Sequence, residues 1–119
     1  MNWKLGVAAA AGILLMAPAG VYARDPGNPL KGQAIARRSC VACHAIDAGE
    51  AASPNLKAPP FARMAQTPGM TAIALRAALQ TSHRTMPNLV LRQGPREDVI
   101  AYILSLKGAP ARVAQASPW

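Results

Sequence analysis

Acidic and aromatic residues are scarce in this chain. Its 119 residues include five Asp or Glu against 13 Lys or Arg, which gives a formal net charge of +8, and 4% are aromatic. No pair of carboxylates stands in an arrangement typical of acid and base catalysis, and no Gly-rich phosphate loop is visible. With so few large side chains, a small domain has a thin core and often depends on a metal, a staple or a cofactor. We therefore expect something other than side chains to fill its centre.

The N-terminus has the pattern of a secretory signal. A single charge at Lys4 precedes a short apolar run, and small residues lead up to Ala23. A membrane helix needs ~20 apolar residues, and this run reaches that length only by including Pro18 and Gly20. We predict a signal peptide over 1–23, cleavage after Ala23 and export to the periplasm. Membrane contact is expected only if the signal stays uncleaved.

The positive charge favours acidic partner proteins, because a cationic surface speeds encounter with them. The arginines are spread along the sequence without a basic block, so we expect no nucleic-acid partner.

The pattern of caps and apolar residues predicts an all-α domain over 24–107, with three main helices, long loops and a flexible tail over 108–119. The first helix begins with Asn28 as its cap and Pro29 at its first position, and runs into the cysteine stretch. A short helix follows at 61–65 and a second main helix at 71–82. The last helix begins at Gly94 and Pro95, has Glu97 and Asp98 in its first turn, and closes at Lys107 and Gly108. The residues expected to face the core are Leu30, Ala34, Ile35 and Val41 on the first helix and Val99, Ile100, Ile103 and Leu106 on the last. The second main helix has Ile73, Ala77 and Gln80 on one line, with Leu75, Ala78 and Leu79 beside it.

Both cysteines and a histidine form the motif C-x-x-C-H at Cys40, Cys43 and His44. A disulfide between cysteines this close closes a very small loop and stabilises little. A thioredoxin-like redox pair needs a βαβ context, and a zinc site needs a fourth ligand. Two thiols and the following imidazole suit covalent attachment of haem, with His44 ligating the iron. Together with export and helical context, the motif predicts a c-type haem.

The sixth iron ligand has several candidates. Met64 lies in a short helical turn and Met70 near a helix start, where methionines commonly fill a core. Met86 lies in an irregular loop beside Pro87, far enough from His44 to cross the other haem face. His83 is a rival, and an open sixth site would bind a gas or peroxide.

The chain resembles class I c-type cytochromes, particularly small bacterial monohaem forms, in Gly32, the C-x-x-C-H motif, "TMPN" at 85–88 and "EDVIAYILSLK" at 97–107. The resemblance covers about residues 30–107. It implies a cytochrome c fold, one covalent haem c, and His44 and Met86 as axial ligands. It also implies that Gly32 and Tyr102 meet where the first and last helices cross.

Two positions depart from the family pattern or leave it open. The family often has an aromatic residue where this chain has Ala36, so the helix crossing should pack differently, through Ile35. A proline carbonyl is expected to accept a hydrogen bond from His44 Nδ1. Pro54 and Pro60 compete for this role, with Pro54 slightly preferred.

With both axial positions filled by protein, the iron has no room for substrate, so we predict a periplasmic one-electron carrier and not an enzyme. An acidic redox partner would dock at an exposed haem edge; the cations near it in sequence are Arg38, Lys57, Arg84 and Arg92. The alternatives are a cytochrome subunit of a larger dehydrogenase or oxidase complex, and a haem sensor or enzyme with an open sixth site.

Overall fold

The computed structural model describes residues 26–81 and 85–109. The predicted signal peptide, all but the first two residues of the predicted tail, and the candidates His83 and Arg84 lie outside these residues. Within them there are four α-helices and no strand. The all-α prediction with three main helices is confirmed.

Helix α1 spans Pro29–Ser39 and begins as its caps predict. The side-chain oxygen of Asn28 accepts hydrogen bonds from the backbone N–H groups of Leu30 and Lys31 at 3.0 and 3.1 Å, and Pro29 occupies the first turn, where its missing N–H costs nothing. The predicted core face was wrong except for Ile35, which is partly buried. Leu30 and Val41 are 77% and 45% exposed, whereas Gly32 and Ala36 are buried.

Helix α4 spans Gln93–Ser105 and packs against α1 more extensively than any other helix pair does in the described part of the chain. Its predicted core residues Val99, Ile100, Ile103 and Leu106 are all buried. The expectation that Glu97 and Asp98 lie in its first turn was wrong, because the helix begins at Gln93. Glu97 is instead buried, and the Asp98 carboxylate accepts a hydrogen bond from the backbone N–H of Asn28 at 2.7 Å.

The close approach of α1 to α4 depends on Gly32. A Cβ atom built on Gly32 would overlap the carbonyl oxygen of Asp98 and would lie 2.8 Å from Tyr102 Cβ. The expected meeting of Gly32 with Tyr102 is therefore present. Ala36, one turn later, is fully buried at the position where class I c-type cytochromes often have an aromatic residue, and Ile35 is partly buried against the same core. Small side chains on α1 let the two backbones come together.

Two short helices build the rest of the domain. Helix α2 spans Phe61–Gln66, and α3 spans Ala72–Gln80. The hydroxyl of Thr71 caps α3 by accepting from the backbone N–H of Ala74 at 3.2 Å. Leu75 is the buried residue of α3, and Leu79 packs partly against the core. Both helices contact α4, so α4 is the element on which the other three helices pack.

None of the helices in residues 26–81 and 85–109 is both long enough and apolar enough to cross a bilayer.

Candidate haem site

The C-x-x-C-H motif lies in the turn that follows α1. The helix ends at Ser39, and the carbonyl of Cys40 accepts hydrogen bonds from the backbone N–H groups of Cys43 and His44 at 3.1 and 2.9 Å. This turn brings Cys40, Cys43 and His44 to the lining of one cleft. The motif residues share one surface because these bonds close a turn, in which positions i, i+3 and i+4 lie on the same side.

Both sulfurs are free thiols in this structure. Cys40 is buried and Cys43 is half-buried. Burial raises the pKa of the Cys40 thiol, and the neighbouring Cys43 raises it further. Among the described residues, no three His, Cys, Asp or Glu side chains gather in a way that could hold a metal ion on their own. The two sulfurs thus face a common cleft.

The His44 ring is oriented by a backbone carbonyl. Its Nδ1 donates to the carbonyl oxygen of Pro59 at 2.8 Å. Neither Pro54 nor Pro60, the two prolines proposed from the sequence, is the acceptor, and that expectation was wrong. Because a carbonyl can only accept, Nδ1 carries a proton, and in the neutral ring Nε2 then has the lone pair. This is the tautomer that an iron ligand requires.

The loop that supplies Pro59 is held against the motif at several points. The backbone N–H of Asn55 donates to the Cys43 carbonyl at 3.1 Å, and that of Phe61 donates to the Ala45 carbonyl at 2.9 Å. The buried Ser53 hydroxyl accepts from the Ala45 N–H at 3.0 Å. These bonds pin the chain on both sides of Pro59. The position of the Pro59 carbonyl follows from this network. The sequence pattern that singled out Pro54 and Pro60 does not reveal it.

An aromatic contact that sequence reasoning missed lies beside His44. The rings of His44 and Phe61 have centroids 5.5 Å apart, and those of Phe61 and Tyr102 are 6.4 Å apart. The Tyr102 hydroxyl donates to the Ile46 carbonyl at 2.9 Å and lies 3.2 Å from the Asp47 carboxylate. Burial raises the pKa of Tyr102. The signal that could have found Phe61 is its place as the single phenylalanine of the chain, directly after two prolines.

Met86 lies on the same cleft as the motif. The cleft has a volume of about 350 Å³, within the range typical of ligand pockets, roughly 300–1,000 Å³. We call it the central cleft. Its lining on the motif side is Ser39, Cys40, Ala42, Cys43, His44, Asn55, Lys57, Ala58, Pro59 and Phe61; on the helices Met64, Leu75, Ala78, Leu79, Val99 and Ile103; and on the opposite loop Thr85, Met86, Pro87, Leu89 and Leu91.

Met64 also lines the central cleft, whereas Met70 does not. Met70 is partly buried against the core, and its carbonyl accepts a hydrogen bond from Lys107 Nζ at 2.7 Å. The core role expected for Met70 is therefore what the structure shows. Met64 belongs to α2 and remains a second thioether on the cleft.

Among the described residues, the lining of the central cleft carries a positive charge and no negative charge. Lys57 is the one charged residue on its lining among the described residues, and no described carboxylate reaches it. Asp47 pairs with Arg37 at 3.1 Å, and Glu97 pairs with Arg76 at 2.6 Å, and none of these four residues lines the cleft. The hydrogen bond to Glu97 raises the pKa of Arg76. Asp47 and Glu97 thus form ion pairs that stabilise the fold. The cleft itself is apolar, with Lys57 as a cationic residue on its lining.

The donor set fits a c-type haem. Two thiols separated by two residues, an imidazole with a free Nε2 and a thioether line one apolar space. Covalent binding of a c-type haem with histidine and methionine as iron ligands needs these groups around a space of low polarity.

Comparison with known proteins supports the same assignment. The family model for cytochrome c matches residues 29–107, about two thirds of the chain. Neither the curated proteins nor the solved structures gave a match. The chain belongs to the cytochrome c family, whose members bind haem c and are typically electron carriers rather than enzymes.

Proposed function

We propose that this protein is a periplasmic one-electron carrier. In the proposal, Cys40 and Cys43 hold one haem c through thioether bonds, and His44 and Met86 ligate its iron. The observation that carries it is the central cleft, which brings the two thiols, the His44 ring and the Met86 side chain onto one lining.

When bound, the haem supplies an iron that cycles between the ferric and ferrous states. The Pro59 carbonyl accepts a hydrogen bond from His44 Nδ1 and so fixes the orientation of the ring. This leaves Nε2 as the atom that would ligate the iron. Met86 offers a neutral sulfur, which stabilises the ferrous state more than an imidazole does. Leu75, Leu79 and Val99 make the lining apolar, and low polarity disfavours the extra positive charge of the ferric state.

An acidic redox protein is the proposed partner. The support is the net charge of +8, together with Lys57 on the lining of the cleft. No Asp or Glu of the described residues belongs to that lining. Arg38 and Arg92 each adjoin a cleft residue in sequence. Charge complementarity of this kind mainly raises the rate of encounter, so the contact should be transient and sensitive to salt.

Optical spectroscopy of the purified exported protein tests the ligation. The oxidised form should show the weak near-infrared band of iron bound to methionine sulfur, and Met86→Ala should lose it while keeping covalent haem. Met64→Ala is the matched control, because it removes the other thioether on the cleft, and it should keep the band. If wild type lacks the band, or if Met64→Ala alone abolishes it, the ligation by Met86 is wrong, and an open sixth site or another ligand takes its place.

The location and the partner class have their own tests. The mass of the periplasmic protein should correspond to a chain that begins at Arg24 with one haem, whereas an intact Met1 in the membrane fraction would contradict cleavage after Ala23, and haem-free protein in the cytoplasm would contradict export. Reduction of ferricyanide, an anionic oxidant, should slow in Lys57→Gln by ~2-fold or more at low salt and should lose that difference at high salt. An unchanged rate at low salt would remove Lys57 from the docking surface.

A further inference from the structure

The segment that carries Met86 lies between α3 and α4. We call residues 85–92 the distal segment. Within the described part of the chain, residues 85–90 make no hydrogen bond, and Leu91 accepts one from Arg96 at 3.4 Å. Thr85, Met86, Pro87, Leu89 and Leu91 nevertheless line the central cleft. Their position must therefore depend largely on the two helices at the ends of the segment.

A buried ion pair joins these two helices. Arg76 Nε on α3 donates to Glu97 Oε1 at 2.8 Å, and Arg76 Nη2 donates to Glu97 Oε2 at 2.6 Å. The side chains are 18% and 10% exposed, respectively. Such a two-point contact between a planar guanidinium and a carboxylate fixes orientation as well as distance.

The pair also adjoins two walls of the cleft. Leu75, Ala78 and Leu79 on α3 and Val99 and Ile103 on α4 line it, and Arg76 and Glu97 lie beside them in sequence. Residues 76 and 97 are 21 apart, and Met86 lies close to the middle of the stretch between them. A contact between the two ends of a loop reduces the number of conformations that the loop can adopt.

We propose that the Arg76–Glu97 pair is a positioning pair that holds Met86 over the central cleft. The inference rests on the proposed ligation by Met86. By fixing α3 against α4, the pair limits the conformations of the segment between them and keeps the Met86 sulfur at high effective concentration at the iron. Loss of the pair should increase the local opening in which the sulfur leaves the iron, without requiring the whole domain to unfold.

Cyanide binding to the oxidised holoprotein measures this opening, because cyanide enters the position that the sulfur leaves. We compare Arg76→Met with Arg37→Met at saturating cyanide and well below the unfolding temperature. Both substitutions remove one cation from an ion pair, but Arg37 and Asp47 are 57% and 38% exposed and lie on the motif side. Met86→Ala gives the rate for an open site.

Arg76→Met should bind cyanide ~10-fold faster than wild type or more, whereas Arg37→Met should stay within ~2-fold of it. Restoring the pair in reverse, with Arg76→Glu and Glu97→Arg together, should bring the rate back toward wild type. If Arg76→Met unfolds more easily yet binds cyanide at the wild-type rate, the pair is merely structural and the proposal is overturned. If Arg76→Met yields no holoprotein, Arg76→Lys replaces it, since it keeps the charge and loses the two-point contact; a wild-type rate there also overturns the proposal.

Failure of the ligation itself gives a different result. Wild type would then bind cyanide as fast as Met86→Ala. In that event, limited proteolysis of the distal segment, with the cut sites identified by mass spectrometry, tests the pair without reference to the iron ligand. Faster cleavage of the segment in Arg76→Met than in Arg37→Met supports the anchoring of the segment, and equal cleavage in the two variants overturns it.

Discussion

The two sides of the central cleft are held in place differently. On the motif side, residues 40–61, which we call the proximal segment, are tied to one another at many points, including His44 to Pro59, Asn55 to Cys43 and Phe61 to Ala45. The distal segment, residues 85–92, has few such bonds among the described residues and is fixed mainly through α3 and α4. One proposed ligand, His44, is thus held by a local network, and the other, Met86, by the packing of helices at some distance.

The difference has a physical consequence for each ligand. A dense network of backbone bonds makes local opening costly, because several bonds must break together. A loop fixed at its ends can open while those bonds stay intact. We therefore expect that haem retention depends on His44. We expect Met86, in contrast, to leave the iron and return to it while the domain stays folded. Four predictions test this comparison, in order of decreasing effect.

The largest effect is expected on the proximal side, from His44→Ala. This change removes the proposed iron ligand and leaves the Pro59 carbonyl without its donor. Because even a partner of a ligand commonly changes metal affinity ~10–100-fold, the yield of holoprotein should fall at least tenfold. Haem staining on a denaturing gel and the reduced absorption spectrum measure it. Met86→Ala is the matched distal change and should keep covalent haem; equal loss in both variants would contradict the comparison.

A change at the helix crossing should affect both sides together. Gly32→Ala places a methyl group on the Asp98 carbonyl, and overpacking of this kind costs ~1–3 kcal/mol or more. Denaturant unfolding of the holoprotein measures the loss. Gly94→Ala, in α4, is the control, since nothing lies within 4 Å of a Cβ atom there; it should be neutral or stabilising by ~0.5–1 kcal/mol. Equal stability of the two variants would show that the close approach is not required.

A smaller effect is expected from Tyr102→Phe, which keeps the ring and removes the hydroxyl that donates to the Ile46 carbonyl. At neutral pH it should cost ~1–3 kcal/mol, because a buried acceptor is left unsatisfied. Burial raises the folded-state pKa of Tyr102 above the ordinary value of 10.0. The protonated hydroxyl therefore stabilises the fold fully below pH 10.0, and this contribution falls as the pH rises through the folded pKa.

The measurement is the free energy of unfolding of wild type and Tyr102→Phe at several pH values between 7 and 11. Their difference should be constant up to about pH 10 and should shrink above it. Lysines titrate in the same range in both proteins, so the difference isolates Tyr102. A difference that grows with pH would show that the pKa shift has the opposite sign.

The smallest effect is expected from Pro87→Ala on the distal side. Freeing the backbone next to Met86 should lower stability by only ~0.4–1 kcal/mol, because the unfolded chain gains conformational freedom. Cyanide binding should accelerate a few-fold if the distal segment controls exchange of the ligand. Pro54→Ala is the control, since Pro54 is exposed on the proximal segment; it should leave the cyanide rate unchanged. Acceleration in both variants would remove the distinction between the two sides.

The parts of the fold that sequence reasoning predicted correctly depend on local chemistry. Asn28 and Pro29 start α1 because their side chains satisfy or omit the first N–H groups. The apolar spacing of Val99, Ile100 and Ile103 predicts the buried face of α4 because those side chains are large. On α1 the same reasoning failed. Its buried face consists of Gly32 and Ala36, and small residues at a close crossing leave no hydrophobic signal in the pattern.

The sequence by itself determined the chemistry of the site: C-x-x-C-H at residues 40–44, a methionine in a loop far along the chain, and a shortage of side chains large enough to fill a core. Only the tertiary structure decided which proline carbonyl meets His44, that Phe61 lies against its ring, and that Arg76 reaches Glu97. The reason is that covalent chemistry depends on residues adjacent in the chain. A hydrogen bond or ion pair across 15 or 21 residues depends on how helices and loops pack, and no local pattern encodes that.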